Sequence, residues 1–277
     1  MLQIRNPVIA VLVSLFVGAG TASHAIAGEK PKLSKATART PADLPHGFAD
    51  LTKVAPTVLI DMRYATARNF TGRRVTGYRA NRCILARPVA QALARVQERV
   101  SRRGYTIKVY DCYRPARAVA AFVRWGEGTW GRGNTKFYYP RIARSRVIPL
   151  GYISKRSSHA RGTAIDLTLV PASPGVSTSS RAKPRSSATG SDPKAPASCI
   201  AAPPEAAPAS LDMGTSWDCF DVLSHTRHGG ISSAAKANRE RLLRAMRAEG
   251  FRNYKREWWH FSMPLRGYTR MRDFPVE

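Results

Sequence analysis

Acidic residues are scarce: 18 Asp and Glu stand against 45 Lys and Arg in 277 residues, a formal net charge of +27. A chain this basic attracts polyanions in general. It also lacks a recognised nucleic-acid-binding motif, which argues against nucleic acid and leaves anionic lipid head groups, acidic wall polymers or a merely solvated face. Cysteine is limited to four residues, and no two have the C-x-x-C spacing usual in structural zinc sites. Internal repeats are absent, which excludes an array or solenoid. The apolar stretch from Pro7 to Ala19 is shorter than the about 20 residues that cross a bilayer, so no transmembrane span is expected in the mature chain.

What is present at the N-terminus is a leader. Arg5 precedes the apolar stretch, and Ala25-Ile26-Ala27 offers a small-x-small cleavage site before Gly28, the pattern of a secretory signal peptide. No Cys follows it to be lipidated. Residues 1–27 are thus expected to be removed near Ala27, leaving a periplasmic or secreted protein with a short extension over residues 28–45. In that oxidising compartment Cys83, Cys112, Cys199 and Cys219 form an even set suited to disulfides. Three pairings are open. Cys83 with Cys112 and Cys199 with Cys219 is favoured because each joins chain neighbours.

The stretch at about 171–210 is rich in Pro, Ser and Ala and holds few large apolar residues, too few to offset the entropy of ordering it. It reads as an insert in a single domain. Helical spacing covers Gln91–Arg103, with Leu93, Val96 and Val100 inward and Gly104 as the stop. It also covers Lys236–Gly250, with Leu242, Leu243 and Met246 on one side and Gly250 as a C-cap. The run from Ile165 to Val170 reads as a buried strand carrying one carboxylate, Asp166.

The chemistry lies in Ser157-Ser158-His159 through Asp166, followed about ninety residues later by Glu257-Trp258-Trp259-His260. Two imidazoles, a carboxylate and a further Glu are the parts of a catalytic zinc site: three ligands, an open position for water and a base. His159 and Asp166 are seven apart, about 10 Å along a helix, so a bend at Gly162 must bring them together. A lone Asp in an apolar strand is costly unless paired or bound to a metal. Glu257 and His260 share a face on a helical turn, but a bulged strand presents both as well. A third cluster, Val109 to Pro115, ends an apolar run in a charged, aromatic turn. There Arg114, preceding a proline, is biased toward an extended backbone. The competing readings are ordinary ones: a satisfied histidine, and a surface charge beside an aromatic strand.

These blocks, with Asp61-Met62-Arg63-Tyr64-Ala65-Thr66, Asn69-Phe70-Thr71-Gly72, Asp212-Met213-Gly214 and Asp273-Phe274-Pro275-Val276, resemble in order the VanX-type zinc D-alanyl-D-alanine dipeptidases. The resemblance implies an α+β fold, a single compact domain with a central antiparallel sheet flanked by helices, occupying residues 46–277. It implies Zn2+ held by His159, Asp166 and His260, with Glu257 as general base and Arg114 polarising the scissile carbonyl. Tyr64, Tyr78 and Asp218 stand where contacts to a small dipeptide substrate are expected, and Ser157 is counted with them. Cys112, Cys219 and the insert after Val170 depart from the pattern. The expected activity is hydrolysis of D-alanyl-D-alanine in the cell envelope. The alternatives are a D,D-carboxypeptidase acting on longer wall peptides and a non-catalytic wall-peptide-binding module. Intact Glu257 and Arg114 argue against the last.

Overall fold

In a computed structural model, residues 44–130, 136–172, 198–200 and 209–277 are described. The leader, nearly all of the extension, and most of the insert lie outside them. Strand β1 (Phe48–Asp50) runs into the short helix α1 (Leu51–Val54), which is capped by the Asp50 carboxylate accepting from the Thr52 amide. Strands β2 (Leu59–Ile60) and β3 (Ile84–Ala86) follow. Helix α2 (Arg87–Ser101) starts four residues before the expected Gln91 because Pro88, whose fixed φ suits a first turn, opens it. The chain then leaves α2 through Gly104 at φ +76°. Strand β4 (Tyr105–Asp111), helix α3 (Ala116–Gly126) and strand β5 (Ala164–Pro171) come next. Helix α4 (Ser233–Arg247) begins at the Ser232 cap, whose hydroxyl accepts from the Ala235 amide. Strands β6 (Arg252–Asn253) and β7 (His260–Ser262) close the fold.

The central sheet has the order β2-β4-β5-β7-β6. All its pairings are antiparallel except the edge pair β2–β4, which is parallel. A two-stranded sheet of β1 and β3 stands beside it. Strand β5 is the middle of the structure: from Ala164 to Val170 every residue is buried. Alternation along the strand directs Ile165, Leu167 and Leu169 to one face and Asp166 and Thr168 to the other. Burying each large aliphatic side chain contributes about 1.5–3 kcal/mol, which holds the strand in register. Register decides the rest. Asp166 of β5 lies opposite Asp111 of β4 on one side and opposite His260 of β7 on the other.

Both expected disulfides are formed, Cys83 with Cys112 and Cys199 with Cys219. The first ties the approach to β3 to the residue just past β4, and the second ties Cys199, within the C-terminal part of the insert, to the loop before α4. Each contributes about 3 kcal/mol by loop entropy. No helix among the described residues is long and apolar enough to cross a membrane.

Candidate metal centre and cleft

The sheet brings Asp166 and His260 together, and a single turn adds His159. A short 3-10 turn, His159–Arg161, precedes β5 and ends at Gly162 in the left-handed region, φ +71°. A Cβ at that position would sit 2.5 Å from the Phe48 ring and 3.0 Å from the Ala86 amide nitrogen, so only glycine fits the bend. The bend folds His159 back over the strand. Its Nε2 lies 3.2 Å from Asp166 Oδ1 and 3.1 Å from His260 Nδ1, and His260 Nδ1 lies 3.0 Å from the same carboxylate oxygen.

The donor set fits a metal cation. His159 Nδ1 is 2.7 Å from the Cys112 carbonyl oxygen, which can only accept, so Nδ1 carries the proton and Nε2 presents its lone pair inward. That lone pair meets a carboxylate and a second imidazole at spacings close to the edge of a tetrahedron with arms of about 2.0 to 2.1 Å, the zinc–nitrogen and zinc–oxygen distances. His159, Asp166 and His260 form a group able to hold an ion. Burial tends to raise the Asp166 pKa, but the two imidazoles outweigh it and hold the carboxyl far below its usual range. Burial lowers His260 below the ordinary histidine value, against the pull of Asp166. An ionised carboxylate and a neutral imidazole are the forms that bind a metal.

Glu257 stands in the turn between β6 and β7, with Oε2 3.8 Å from His260 Nδ1. Neither a helix nor a bulged strand presents the pair: Glu257 comes from the turn and His260 from the first residue of β7. Burial first, then the charges of Asp166 and Asp218, push the Glu257 carboxyl well above its usual value. Arg114 approaches the other side of the centre, with Nη2 3.7 Å from Asp166 Oδ2. The Asp111 carboxylate holds it, accepting from Nε at 2.9 Å and lying 2.8 Å from Nη2. The guanidinium lies 5.2 Å from the ring centre of Tyr64 and 4.8 Å from that of Phe122. Asp111 is fully buried, and its other oxygen accepts from the Tyr78 hydroxyl at 2.5 Å.

All these groups except Asp111 and Tyr78 face a cleft of about 280 Å3, and Ser157, Tyr64 and Asp218 line it too. The Tyr64 hydroxyl donates to Asp218 Oδ2 at 2.7 Å. Asp218 is the single non-glycine with positive φ among the described residues, at 59°, the kind of backbone outlier that points to a functional position. Burial, then Asp166, hold its carboxyl well above the usual range, with the Tyr64 hydrogen bond opposing. Its loop is pinned from α4: buried Arg239 donates to the carbonyls of Met213, Leu223 and His225. Tyr78, expected to meet the substrate, instead stands behind Arg114 and touches Asp111. Sequence reading gave no role to Asp111, or to Phe122, Tyr152, Phe220 and Tyr254 of the cleft wall. Asp111 carried a signal like that of Asp166, a carboxylate in a largely apolar strand, here at its last residue.

A family model described as D-ala-D-ala dipeptidase matches residues 45–179 and 174–277. A D-alanyl-D-alanine dipeptidase of Enterococcus faecium is 34% identical over 232 residues, 83% of this chain and 98% of that protein. One from Streptomyces coelicolor is 33% identical over 230 residues, with the same coverage of both chains. One from Escherichia coli is 28% identical over 217 residues, 78% of this chain and 84% of that protein. With the match running the length of the described fold and a His-Asp-His centre at its middle, the chain belongs to the D-alanyl-D-alanine dipeptidase family of zinc metallopeptidases.

Proposed function

We propose that the protein hydrolyses free D-alanyl-D-alanine, with zinc held by His159, Asp166 and His260. The observation that carries this reading is the joint opening of the donor triangle, Glu257, Arg114 and a buried Asp218 onto one small cleft. About 280 Å3 is at the lower end of ligand-pocket sizes, which suits a dipeptide better than a polymer. Zinc in this position supplies a Lewis acid that polarises a carbonyl oxygen and makes water a better nucleophile. Glu257, with its raised proton affinity, takes the proton from the attacking water and delivers it to the leaving amine. Arg114, fixed by Asp111, offers charge-assisted hydrogen bonds to the developing oxyanion. Asp218 and Tyr64 receive the substrate ammonium, and Ser157 borders the same cleft.

A carboxyl at the ammonium end favours a free dipeptide over an N-acylated peptide, which brings no cation to pair with Asp218 and leaves a buried polar group without its partner, at about 1–3 kcal/mol. The test compares kcat/KM for D-alanyl-D-alanine and its N-acetyl derivative in the wild type and in Asp218→Ala. Strong preference for the free dipeptide, lost in the variant, is expected. Equal cleavage of both by the wild type would replace the reading with that of a D,D-carboxypeptidase.

Export through the leader, action on wall-derived dipeptide in the periplasm or outside the cell, and a diffuse attraction of the basic surface for anionic envelope polymers complete the proposal. Two disulfides suit an oxidising compartment. N-terminal sequencing of the mature protein is expected to begin at Gly28.

A further inference from the structure

A second cavity, of about 390 Å3, opens along helices α2 and α4. It is lined by Arg99, Arg103, Arg241, Arg244 and Ala248 and shares no residue with the cleft. No carboxylate is among the residues that line it. Arg99 comes from the last turn of α2 and Arg103 from just beyond it, while Arg241 and Arg244 lie one turn apart on α4.

Protein partners use only part of these donors. Glu249 receives Arg99 Nη2 at 2.7 Å and Arg95 Nε at 2.7 Å. Arg241 donates to Asn238, and its guanidinium lies 5.1 Å from the ring centre of Tyr105. Arg99 Nε is buried and meets no hydrogen-bond partner among the described residues. The side chains of Arg103 and Arg244 are exposed, with no ion pair or hydrogen bond among those residues.

Such a cluster opposes itself. Guanidinium groups stay charged at every accessible pH and repel one another, and a buried donor without a partner is destabilising. The helix macrodipole favours cations near the C-terminal ends of α2 and α4, but its influence fades within a turn and does not require four side chains around one opening. A bound anion removes both penalties. Guanidinium forks match phosphate oxygens in pairs. The lining is otherwise one methyl group, so it offers nothing to a base or a lipid tail. One carboxylate, shared with Arg95, leaves most of the charge unbalanced. The volume corresponds to on the order of ten waters at about 30 Å3 each, more than one tetrahedral anion occupies.

We propose that the groove between α2 and α4 is a binding site for a diphosphate group. Soluble diphosphates and lipids with a diphosphate headgroup share that chemistry. Neither source depends on the peptidase reading.

The test titrates the zinc-loaded full chain with inorganic pyrophosphate by calorimetry at about 0.15 M salt, where diffuse charge is screened. Saturable binding is expected, weakened about tenfold or more in Arg103→Ala/Arg244→Ala. It should be unchanged in Arg124→Ala/Arg270→Ala, a pair outside the groove, with dipeptide hydrolysis preserved in both variants. Flotation with phosphatidylcholine vesicles, with and without a diphosphate-headgroup lipid, separates the two sources: groove-dependent capture identifies the lipid, and pyrophosphate binding without capture identifies a soluble ligand. The proposal is overturned by absence of binding in both arms, by equal loss in the control pair, or by equal binding of sulfate at matched ionic strength. Pyrophosphate binding that persists in the groove variant belongs to the metal centre and overturns it too.

Discussion

The main-chain carbonyl of Cys112 accepts a 2.7 Å hydrogen bond from Nδ1 of His159, so one end of the Cys83–Cys112 disulfide orients an imidazole of the metal centre. The Cys199–Cys219 bridge closes a loop of similar size but touches no donor of the triangle. Replacing either pair with Ser should cost about 3 kcal/mol of stability. Only Cys83→Ser/Cys112→Ser should also weaken zinc binding, by up to about tenfold, the lower end of the effect of removing an outer partner, because the Cys112 carbonyl remains but is no longer anchored by the bridge. Competition with a chelator measures this, and equal zinc affinity in the two variants would show that the bridge holds the fold alone.

Glu257 and the three donors should separate in their effects. Glu257→Gln keeps the shape of the turn and should retain near-stoichiometric zinc while losing most hydrolysis. His159→Ala, Asp166→Ala and His260→Ala should lose zinc itself. Metal analysis beside single-turnover rates checks the division, and comparable zinc loss in Glu257→Gln would make it a ligand.

In the proposed mechanism Asp111 acts through Arg114, which it holds. Asp111→Asn removes the charge that fixes the guanidinium, and kcat should fall about 100-fold or more, the usual loss for a displaced oxyanion donor, with KM little changed and zinc retained. Tyr78→Phe removes one hydrogen bond to the same carboxylate, worth about 0.5–1.5 kcal/mol, and should have a smaller effect. A rise in KM with kcat preserved would instead place Arg114 in ground-state binding.

Asp50 sets an acid dependence of stability. Burial favours its neutral form, but Arg82 at 2.5 Å and the Thr52 cap outweigh burial and lower its pKa. A lowered folded value means the stabilisation is fully present above the unfolded value, about 3.9. It is lost as pH falls through the folded one. Asn caps about as well as Asp, so Asp50→Asn removes chiefly the charge facing Arg82 and should lower stability at pH 7 by about 1 kcal/mol, a gap that should narrow in strong acid. Urea titrations at the two pH values decide it: a gap that persists undiminished in acid would mean packing rather than charge.

The strand around Asp166 was legible because a predominantly aliphatic, β-branched run shows in any reading, and the His-Asp-His group was legible as a candidate donor set because its residue types are rarely combined for another purpose. The start of α4 was not: Ser232 sits in a run of Gly and Ser, and only the hydrogen bond to Ala235 distinguishes the cap from its neighbours. The resemblance set Tyr78 beside Tyr64 as a substrate contact, yet one lines the cleft and the other stands behind it. Nothing in sequence order separates a residue that touches a ligand from one that props it. The wall residues Phe122, of α3, and Tyr152, Phe220 and Tyr254, of three separate loops, are far apart in the chain, so no local pattern links them. The disulfides were recoverable because four cysteines allow few pairings and neighbours in the chain are neighbours in space.

Asp111, Asp166 and His260 lie in one row across three adjacent strands. Their separation is therefore set by the rung spacing of a hydrogen-bonded ladder, about 4.7–4.9 Å, and not by the length of chain between them. Lengthening a connection costs only about 0.6 kcal/mol per doubling. The interval after β5, where the Pro-, Ser- and Ala-rich stretch already stands, is thus a natural place to splice in foreign sequence, such as an affinity handle or a reporter domain, while the row of Asp111, Asp166 and His260 keeps its pitch.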